Sequence, residues 1–234
     1  SGAGNGDLWL LKFDSDGQLI WQNTFGGSGF DGGFSVVQLF DGSYAISGYT
    51  TSYGAGGSDF WLLKTDIDGN EEWNQTYGGI NSDYSYSIQQ TSDGGFLLTG
   101  RTYSFGAGDE DFWLVKTDNL GNEEWNQTFG GDGSESFESV QLTNDGGYLA
   151  LGNTSSYGNG GSDFWVVKSD ADGTLEWNQT FGGNESDWGK SVQKAEDGGF
   201  VIVGYTNSFG NGGWDGWLIK INSQGVEEWS QTFG

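Results

Sequence analysis

Three short runs of the sequence carry the residue types of a calcium loop. They read Asp14-Ser15-Asp16-Gly17, Asp66-Ile67-Asp68-Gly69 and Asp170-Ala171-Asp172-Gly173. Calcium takes about six to eight oxygen ligands, which an EF-hand gathers from about twelve residues, so these runs are too short. At the same place in two further copies, Asp118-Asn119-Leu120-Gly121 and Asn222-Ser223-Gln224-Gly225, carboxylates are lost but glycine stays. We therefore interpret the runs as turns whose glycine needs a positive φ, with calcium as the alternative.

Two further groups of carboxylates recur at a fixed spacing. The first carboxylate set occurs in all five copies and comprises Asp7, Asp59, Asp111, Asp163 and Asp215. A catalytic residue is seldom needed in every copy, so this set predicts carboxylates that cap turns. The second carboxylate set follows each Gly-Gly pair by four residues and comprises Asp31, Asp83, Glu135 and Asp187.

The second carboxylate set is a candidate metal site. If the repeats surround a common axis, it places one carboxylate per repeat near the mouth of a central channel. Such a ring of charge would hold a cation, calcium being the candidate, or attract a basic peptide. The alternative is that each carboxylate accepts hydrogen bonds from its own loop.

Aromatic residues recur in the glycine-rich loops as candidate ligand contacts. They are Tyr53, Phe105, Tyr157 and Phe209. An exposed ring beside glycines and polar side chains such as Asn159 or Asn211 is a surface on which a sugar face can stack. The alternative is an aromatic that fills the gap between neighbouring sheets.

Asparagine sequons indicate a further kind of site. Three lie in the same Trp-Asn-Gln-Thr segment, at Asn74, Asn126 and Asn178, and two more are at Asn153 and Asn184. Glycosylation needs an accessible asparagine in a secreted protein, and an outer strand would present it. We predict a glycoprotein modified at Asn74, Asn126 and Asn178, with chance occurrence of the motif as the alternative.

Catalytic chemistry has little support in the sequence. Cysteine and histidine are absent, so thiolate zinc sites, cysteine nucleophiles and histidine-based triads are excluded. Paired carboxylates can hydrolyse glycosides, but here the acidic residues repeat with the copies instead of marking one place. The departures from the repeat, Trp188, Lys190, Arg101 and Glu110, are too scattered in sequence to nominate a pocket. We expect no enzyme.

The composition describes a folded, strongly acidic protein. Aromatic residues make up 16% of the 234 residues, which argues against disorder despite 45 glycines. The net charge of −25 repels nucleic acid and anionic membranes. We therefore expect no nucleic acid partner. No apolar run is long enough to cross a bilayer, so we also expect no membrane insertion.

A repeat of 52 residues runs through the whole chain. Tryptophan returns at this step in two series: Trp9, Trp61, Trp113, Trp165 and Trp217, and Trp21, Trp73, Trp125, Trp177 and Trp229. A second half-unit occurs four times, as FDGSYAISGYT, SDGGFLLTGRT, NDGGYLALGNT and EDGGFVIVGYT. The chain is thus four and a half copies of one unit, and a period of this length is typical of propellers and solenoids.

Each unit predicts four short strands. The first is SYSIQQTS (85–92), with Ile88 and Gln90 on one face, and an Asp-Gly hairpin turn leads to FLLTG (96–100). That strand and FWLLK (60–64) are apolar on both faces, as in strands covered by sheets on both sides. In the fourth, EEWNQTY (71–77), Trp, Gln and Tyr alternate with polar residues, as in an outer strand with one wet face. Four-stranded antiparallel blades of a β-propeller follow.

The repeat resembles known families. The unit D-G-G-F-L-L-T-G-x-T, D-F-W-L-x-K-T-D-x-x-G, W-N-Q-T-F-G-G is similar to the "seven-bladed beta-propeller" repeats of bacterial and archaeal secreted and cell-surface proteins, with a layout like the WD-repeat. The resemblance covers the whole chain and implies an extracellular or cell-surface scaffold, adhesion or protein-interaction module. A lectin-like propeller and a calcium-stabilised adhesion module are the alternatives, and a protein or glycan is the implied partner.

The repeat also predicts the domain frame. We expect a single propeller domain over 1–234, with a half-blade at 1–26 and blades at 27–78, 79–130, 131–182 and 183–234, in five positions of which one is incomplete. Alternatively 209–234 is an inner half-blade that closes a five-bladed ring, the chain is part of a larger ring, or a second copy of the chain completes the half-blade.

Overall fold

The computed structural model describes residues 4–234, and every regular element in that range is a β-strand. The strands are β1 Leu8–Phe13, β2 Leu19–Phe25, β3 Asp31–Gln38, β4 Tyr44–Thr50, β5 Asp59–Thr65, β6 Glu71–Tyr77, β7 Asp83–Gln90, β8 Phe96–Thr102, β9 Asp111–Thr117, β10 Glu123–Phe129, β11 Glu135–Leu142, β12 Tyr148–Thr154, β13 Asp163–Ser169, β14 Leu175–Phe181, β15 Asp187–Lys194, β16 Phe200–Thr206, β17 Asp215–Ile221 and β18 Glu227–Phe233.

The strands form one two-stranded sheet and four four-stranded sheets. The two-stranded sheet is β1-β2, and the others are β3 to β6, β7 to β10, β11 to β14 and β15 to β18, each in sequence order. Neighbours are antiparallel, as their registers show: Gly48 pairs with Trp61 and Gly152 with Trp165. The predicted all-β fold of four-stranded antiparallel propeller blades, with a 52-residue repeat and four and a half repeats, is confirmed.

The chain divides into two compact units. The first comprises Ser1–Leu98, Thr102–Phe105 and Val115–Glu124. The second comprises Thr99–Arg101, Gly106–Leu114 and Trp125–Gly234. Within the first unit β7 packs on β3, β4 and β5, and within the second β15 packs on β11, β12 and β13. In both units, the first strand of one repeat therefore lies against the sheet of the repeat before it.

The middle strands carry the core, as their apolar sequences predict. In the third strand, phenylalanine faces the following sheet and tryptophan the preceding one, so Phe164 and Trp217 meet with ring centroids 5.0 Å apart. Trp61 packs in the same way with Leu8 and Ile46. The equivalent Trp9 is 59% exposed, because none of the described residues covers that face of β1.

The outer strands differ in part from the prediction. In β6, Tyr77 is buried and Trp73 half-buried, but Gln75 is exposed, so the alternation holds for the aromatic residues alone. The first strands are irregular too, because β3, β11 and β15 each contain one residue that the register passes over: Phe34, Glu138 and Lys190. This bulge interrupts the simple alternation that the sequence predicted for the first strand.

A lysine at the end of the third strand fastens each complete repeat. The ammonium group of Lys116 donates to Glu124 Oε2 at 2.7 Å, to Asp93 Oδ2 at 2.9 Å and to the Thr117 carbonyl at 2.8 Å. Lys168 and Lys220 make the same set of contacts, and Lys64 pairs with the equivalent glutamate. The aliphatic stem is buried while the paired carboxylates stay half in water.

Candidate functional site

The Asp-x-Asp-Gly runs are tight turns. Asp66 Oδ1 accepts the amide protons of Asp68 at 2.9 Å and Asn70 at 2.8 Å, and Gly69 has φ of +79°. Hydrogen bonds from the side chain and amide of Asn70 lower the pKa of Asp66. Asn222 makes the same two amide contacts with an uncharged oxygen, so the turn does not need a carboxylate. The turn interpretation is confirmed. In the described residues, no three or more aspartate or glutamate side chains are grouped so that they could hold a metal ion.

The first carboxylate set closes the glycine-rich loops. Asp59 is buried, and its Oδ2 accepts the amide proton of Ala55 at 2.8 Å. Asp163 and Asp215 accept from the amides of Asn159 and Asn211 at 2.7 and 3.0 Å in the same way. This capping role is the one that the recurrence in every copy predicted.

The second carboxylate set is buried and surrounded by donors from its own repeat. Asp83 Oδ1 accepts the hydroxyl of Thr102, while Oδ2 accepts the hydroxyl of Ser104 at 2.8 Å and the amide of Gly79 at 3.0 Å. Burial raises the pKa of the equivalent Asp31, but its hydroxyl and amide donors outweigh burial and lower that pKa overall. Because donors already occupy both oxygens, hydrogen bonding within the repeat, the alternative to a cation ring, is the role that these contacts support.

The two carboxylate sets meet where one repeat follows another, which spacing alone did not reveal. The meeting point is the first glycine of the Gly-Gly pair. A Cβ placed on Gly78 would lie 1.8 Å from Asp59 Oδ1 and 2.9 Å from Asp83 Oδ2. We call this arrangement a carboxylate pair. It recurs at Gly26, Gly130 and Gly182, for the pairs Asp7 and Asp31, Asp111 and Glu135, and Asp163 and Asp187.

In three of the four pairs, one carboxylate is less well satisfied than the other. Among the described residues, Oδ1 of Asp7, Asp59 and Asp163 is buried without a hydrogen-bond partner. Burial, together with the charge of the nearby Asp187, raises the pKa of Asp163 to about 6. Burial also raises the pKa of Asp59 and of Asp111. The sequence carried one sign of these pairs, because each Gly-Gly pair has a member of the first carboxylate set before it and a member of the second carboxylate set after it.

The loop aromatics lie on the tryptophan of the third strand. The ring centroids of Tyr157 and Trp165 are 5.1 Å apart, and those of Phe209 and Trp217 are 5.0 Å apart. The Tyr157 hydroxyl donates to the Gly130 carbonyl at 2.8 Å. One side of each ring is therefore packed, yet all four loop aromatics remain 43% to 45% exposed. Their ligand-binding role stays a prediction.

The sequon asparagines are tied to the neighbouring strand. Asn178 Oδ1 accepts the indole N–H of Trp165 at 3.0 Å, and Asn74 accepts that of Trp61 at 3.2 Å. Asn126 makes the equivalent contact with Trp113. These hydrogen bonds use the oxygen, and at Asn74 the amide nitrogen, the atom that a glycan would join, also donates to Glu71 Oε1 at 2.7 Å. Their glycosylation stays a prediction.

The departures from the repeat, scattered in sequence, come together in space. In the second unit Lys190 Nζ lies 5.4 Å from the Trp188 ring centroid, 5.8 Å from that of Tyr205 and 2.9 Å from Glu138 Oε1. Trp214 meets Tyr205 edge to face at 5.6 Å. We call Trp188, Lys190, Tyr205 and Trp214 the divergent cluster.

Other departures also have partners. Arg101 pairs with Glu110 at 2.7 Å in the second unit. In the first unit the Phe34 ring lies 5.1 Å from that of Tyr86 and 5.7 Å from that of Tyr49. Comparing the copies column by column, instead of seeking a motif, would have found these groups.

Comparisons with known proteins support the fold but no family. No protein-family model matches the sequence. The regulatory protein FlaEY of Caulobacter vibrioides is 27% identical over 114 residues, which cover 43% of this chain and 12% of FlaEY. A solved protein of unknown function from Bacteroides caccae has a TM-score of 0.50 at 11% identity, over 99% of this chain and 92% of its own.

A second solved structure is similar over a smaller part of its length. Endo-1,5-alpha-L-arabinanase from Thermotoga petrophila has a TM-score of 0.46 at 14% identity, over 82% of this chain and 57% of the enzyme. Identities this low carry no information on activity. The repeated four-stranded antiparallel sheets make the fold β-propeller-like, and function must be argued from this chain's own residues. The described residues include no helix that could span a bilayer.

Proposed function

We propose that the chain is a non-catalytic scaffold and binding module of a secreted or cell-surface protein. Its repeated side chains build and join the sheets, and its divergent side chains contact a partner. The observation that carries this proposal is the divergent cluster, in which Trp188, Tyr205 and Trp214 are 37%, 40% and 55% exposed beside Lys190. Exposed aromatic rings grouped around a charged residue are typical of binding surfaces.

The charge around the divergent cluster limits the chemical class of the partner. Lys190 is paired with Glu138, so the cluster brings no excess positive charge, and the chain as a whole carries −25. A polyanion such as nucleic acid would be repelled. A neutral or basic surface, either protein or glycan, suits the cluster better.

The third repeat supplies a matched variant for the test. It has Ser136 and Ser162 at the positions of Trp188 and Trp214, so the double substitution Trp188→Ser with Trp214→Ser restores side chains that the same fold already holds. We expect the variant to keep the wild-type melting temperature within a few degrees. It should also lose the cross-link that the wild type forms with a partner on the cell surface. Equal cross-linking of wild type and variant would show that the divergent cluster is not the contact surface.

A carbohydrate partner is the second candidate, favoured by the partly exposed loop aromatics. On an array of neutral oligosaccharides, wild type should be retained and Tyr157→Ala should not, because the stacking ring is removed. If Tyr157→Ala is retained but the double variant is lost, the sugar binds at the divergent cluster instead. No retention of the wild type at about 1 mM glycan would reject the carbohydrate candidate.

A further inference from the structure

The buried carboxylate pairs pose a chemical problem that the binding proposal does not address. Two carboxylates that approach each other away from water repel, and each also loses hydration. Asp163 and Asp187 are both buried, and so are Asp59 and Asp83. The arrangement needs something positive between the two groups.

The two members of a pair are not equivalent. Asp187 accepts the hydroxyl of Thr206, the hydroxyl of Ser208 at 2.7 Å and the amide of Gly183 at 2.8 Å. Asp163 accepts the Asn159 amide at its Oδ2, while its buried Oδ1 has no partner among the described residues. Asp187 is therefore stabilised as the anion, and Asp163 is not.

Glycines hold Asp163 in place from two sides. A Cβ on Gly182 would lie 1.6 Å from Asp163 Oδ1 and 2.9 Å from Asp187 Oδ2, and a Cβ on Gly158 would lie 1.8 Å from Asp163 Oδ2. The backbone thus approaches both oxygens so closely that no side chain fits beside them. The free oxygen and Asp187 Oδ2 lie against the same glycine, with no described side chain of metal-ligand type completing a site of three.

We propose that each carboxylate pair shares one proton, carried on the first-set aspartate and donated to the second-set carboxylate of the next repeat. At the Asp163 pair, the O–H of Oδ1 points to Asp187 Oδ2. The same assignment holds for Asp59 with Asp83, Asp7 with Asp31 and, with a glutamate as acceptor, Asp111 with Glu135. The proton removes one of the two buried charges and gives the orphaned oxygen its hydrogen bond.

The groups that face the pairs leave the proton as the fitting occupant. Beside burial, the charge that raises the pKa of Asp163 is that of Asp187. Asp83 acts in the same way on Asp59, and Glu135 on Asp111. The Tyr53 ring approaches the pair of Asp7 and Asp31. Burial, followed by the charges of Asp31, Glu71 and Asp7, raises the pKa of the Tyr53 phenol, which therefore stays neutral near pH 7.

The shared proton makes the contact between repeats sensitive to pH. Burial raises the pKa of Asp163 to about 6, above the ordinary aspartate value of 3.8, so the folded chain holds this proton more tightly than the unfolded chain. Stability is then greatest at mildly acidic pH and falls as pH rises from about 4 through 6. Each pair joins the loop of one repeat to the first strand of the next, so a pH above about 6 loosens this contact.

The test replaces the proton with a permanent donor. In Asp163→Asn the amide N–H₂ takes the place of the O–H, so the melting temperature should exceed that of wild type at pH 8 and match it near pH 5. Unfolding at pH 5 should release about one proton fewer than in wild type. Asp66→Asn is the control, because that half-exposed carboxylate caps a turn and its hydrogen bonds with Asn70 lower its pKa. The control should leave the slope of melting temperature against pH unchanged between pH 5 and 8.

Three results would overturn the proposal. One is an equal loss of stability for Asp163→Asn at pH 5 and pH 8. Another is that wild type releases no extra protons when it unfolds at pH 5, a measurement that holds even if the variant does not fold. The third is a melting temperature that calcium or sodium chloride raises at pH 8 in wild type but not in Asp163→Asn, which would place a cation between the carboxylates instead.

Discussion

The hydroxyl group of Tyr77 should stabilise the fold at neutral pH and destabilise it at strongly alkaline pH. Tyr77 is 7% exposed, and its hydroxyl donates to the Gly121 carbonyl of the next repeat at 2.6 Å. Phenylalanine occupies the equivalent position in the other repeats, at Phe25, Phe129, Phe181 and Phe233. Tyr77→Phe therefore removes a buried hydrogen bond without disturbing a packing that the fold already uses.

The magnitude follows from the hydrogen bond and from the titration of the phenol. At pH 7 the variant should be less stable by about 1 kcal/mol, the usual net worth of such a bond. Burial, together with the charges of Glu123 and Asp118, raises the pKa of Tyr77 well above 10, so the folded chain resists ionisation that the unfolded chain allows. Above pH 10 wild type therefore loses about 1.4 kcal/mol per pH unit relative to the variant. The two stabilities should cross near pH 11.

Urea unfolding followed by far-ultraviolet circular dichroism at pH 7 and from pH 9 to 11.5 measures this difference. Other titrating groups are common to both proteins and cancel. Tyr157→Phe is the matched control, because its hydroxyl bonds the Gly130 carbonyl at a position that is 43% exposed, so its loss should cost under about 0.5 kcal/mol. A difference between wild type and Tyr77→Phe that stays constant from pH 7 to 11.5 would refute the reasoning.

Three further predictions concern groups that recur in each repeat. Gly69→Ala should destabilise by more than Gly146→Ala, because both have positive φ but only the Cβ at 69 meets the Trp21 ring, at 2.7 Å; equal unfolding midpoints would contradict this. Lys116→Met should cost about 1 to 2 kcal/mol at pH 7, since its partners regain water, and should weaken the loss of stability as pH falls from 4 to 2. This pH range follows from Asp93, whose pKa is raised by burial but lowered to about 2 by hydrogen bonds from Thr91 and Lys116. A stability that falls between pH 4 and 2 as steeply in the variant as in wild type would argue against this. Gly182→Ala should prevent native packing of the Asp163 pair and lower the melting temperature by more than Gly212→Ala, where no atom lies within 4 Å of the new Cβ.

The sequence determined the architecture, because repetition multiplies every local signal. Tryptophan at a step of 52, Asp-Gly turns and apolar middle strands each occur four or five times, so strand positions and turn conformations could be predicted from single residues. The glycine at 69 and its counterparts adopt the positive φ expected from their persistence. The capping role of the first carboxylate set followed for the same reason.

The bulge in the first strand was beyond prediction, because it adds a residue without changing the residue types around it. Phe34, Glu138 and Lys190 look like ordinary members of an alternating strand, and only the pairing with the second strand shows that they have no partner there. Lys190 then approaches Glu138 of the preceding repeat, a contact that no alternation pattern implies.

Tertiary structure alone decided which carboxylates meet. Sequence spacing gives the position of Asp59 within its repeat and of Asp83 within the next, but their approach depends on how one sheet packs on another and on a glycine that lets the backbone between them come close. Local propensity carries no information about such a distance. The divergent cluster was hidden for the same reason, since its residues lie on two strands and a loop that only sheet formation brings together.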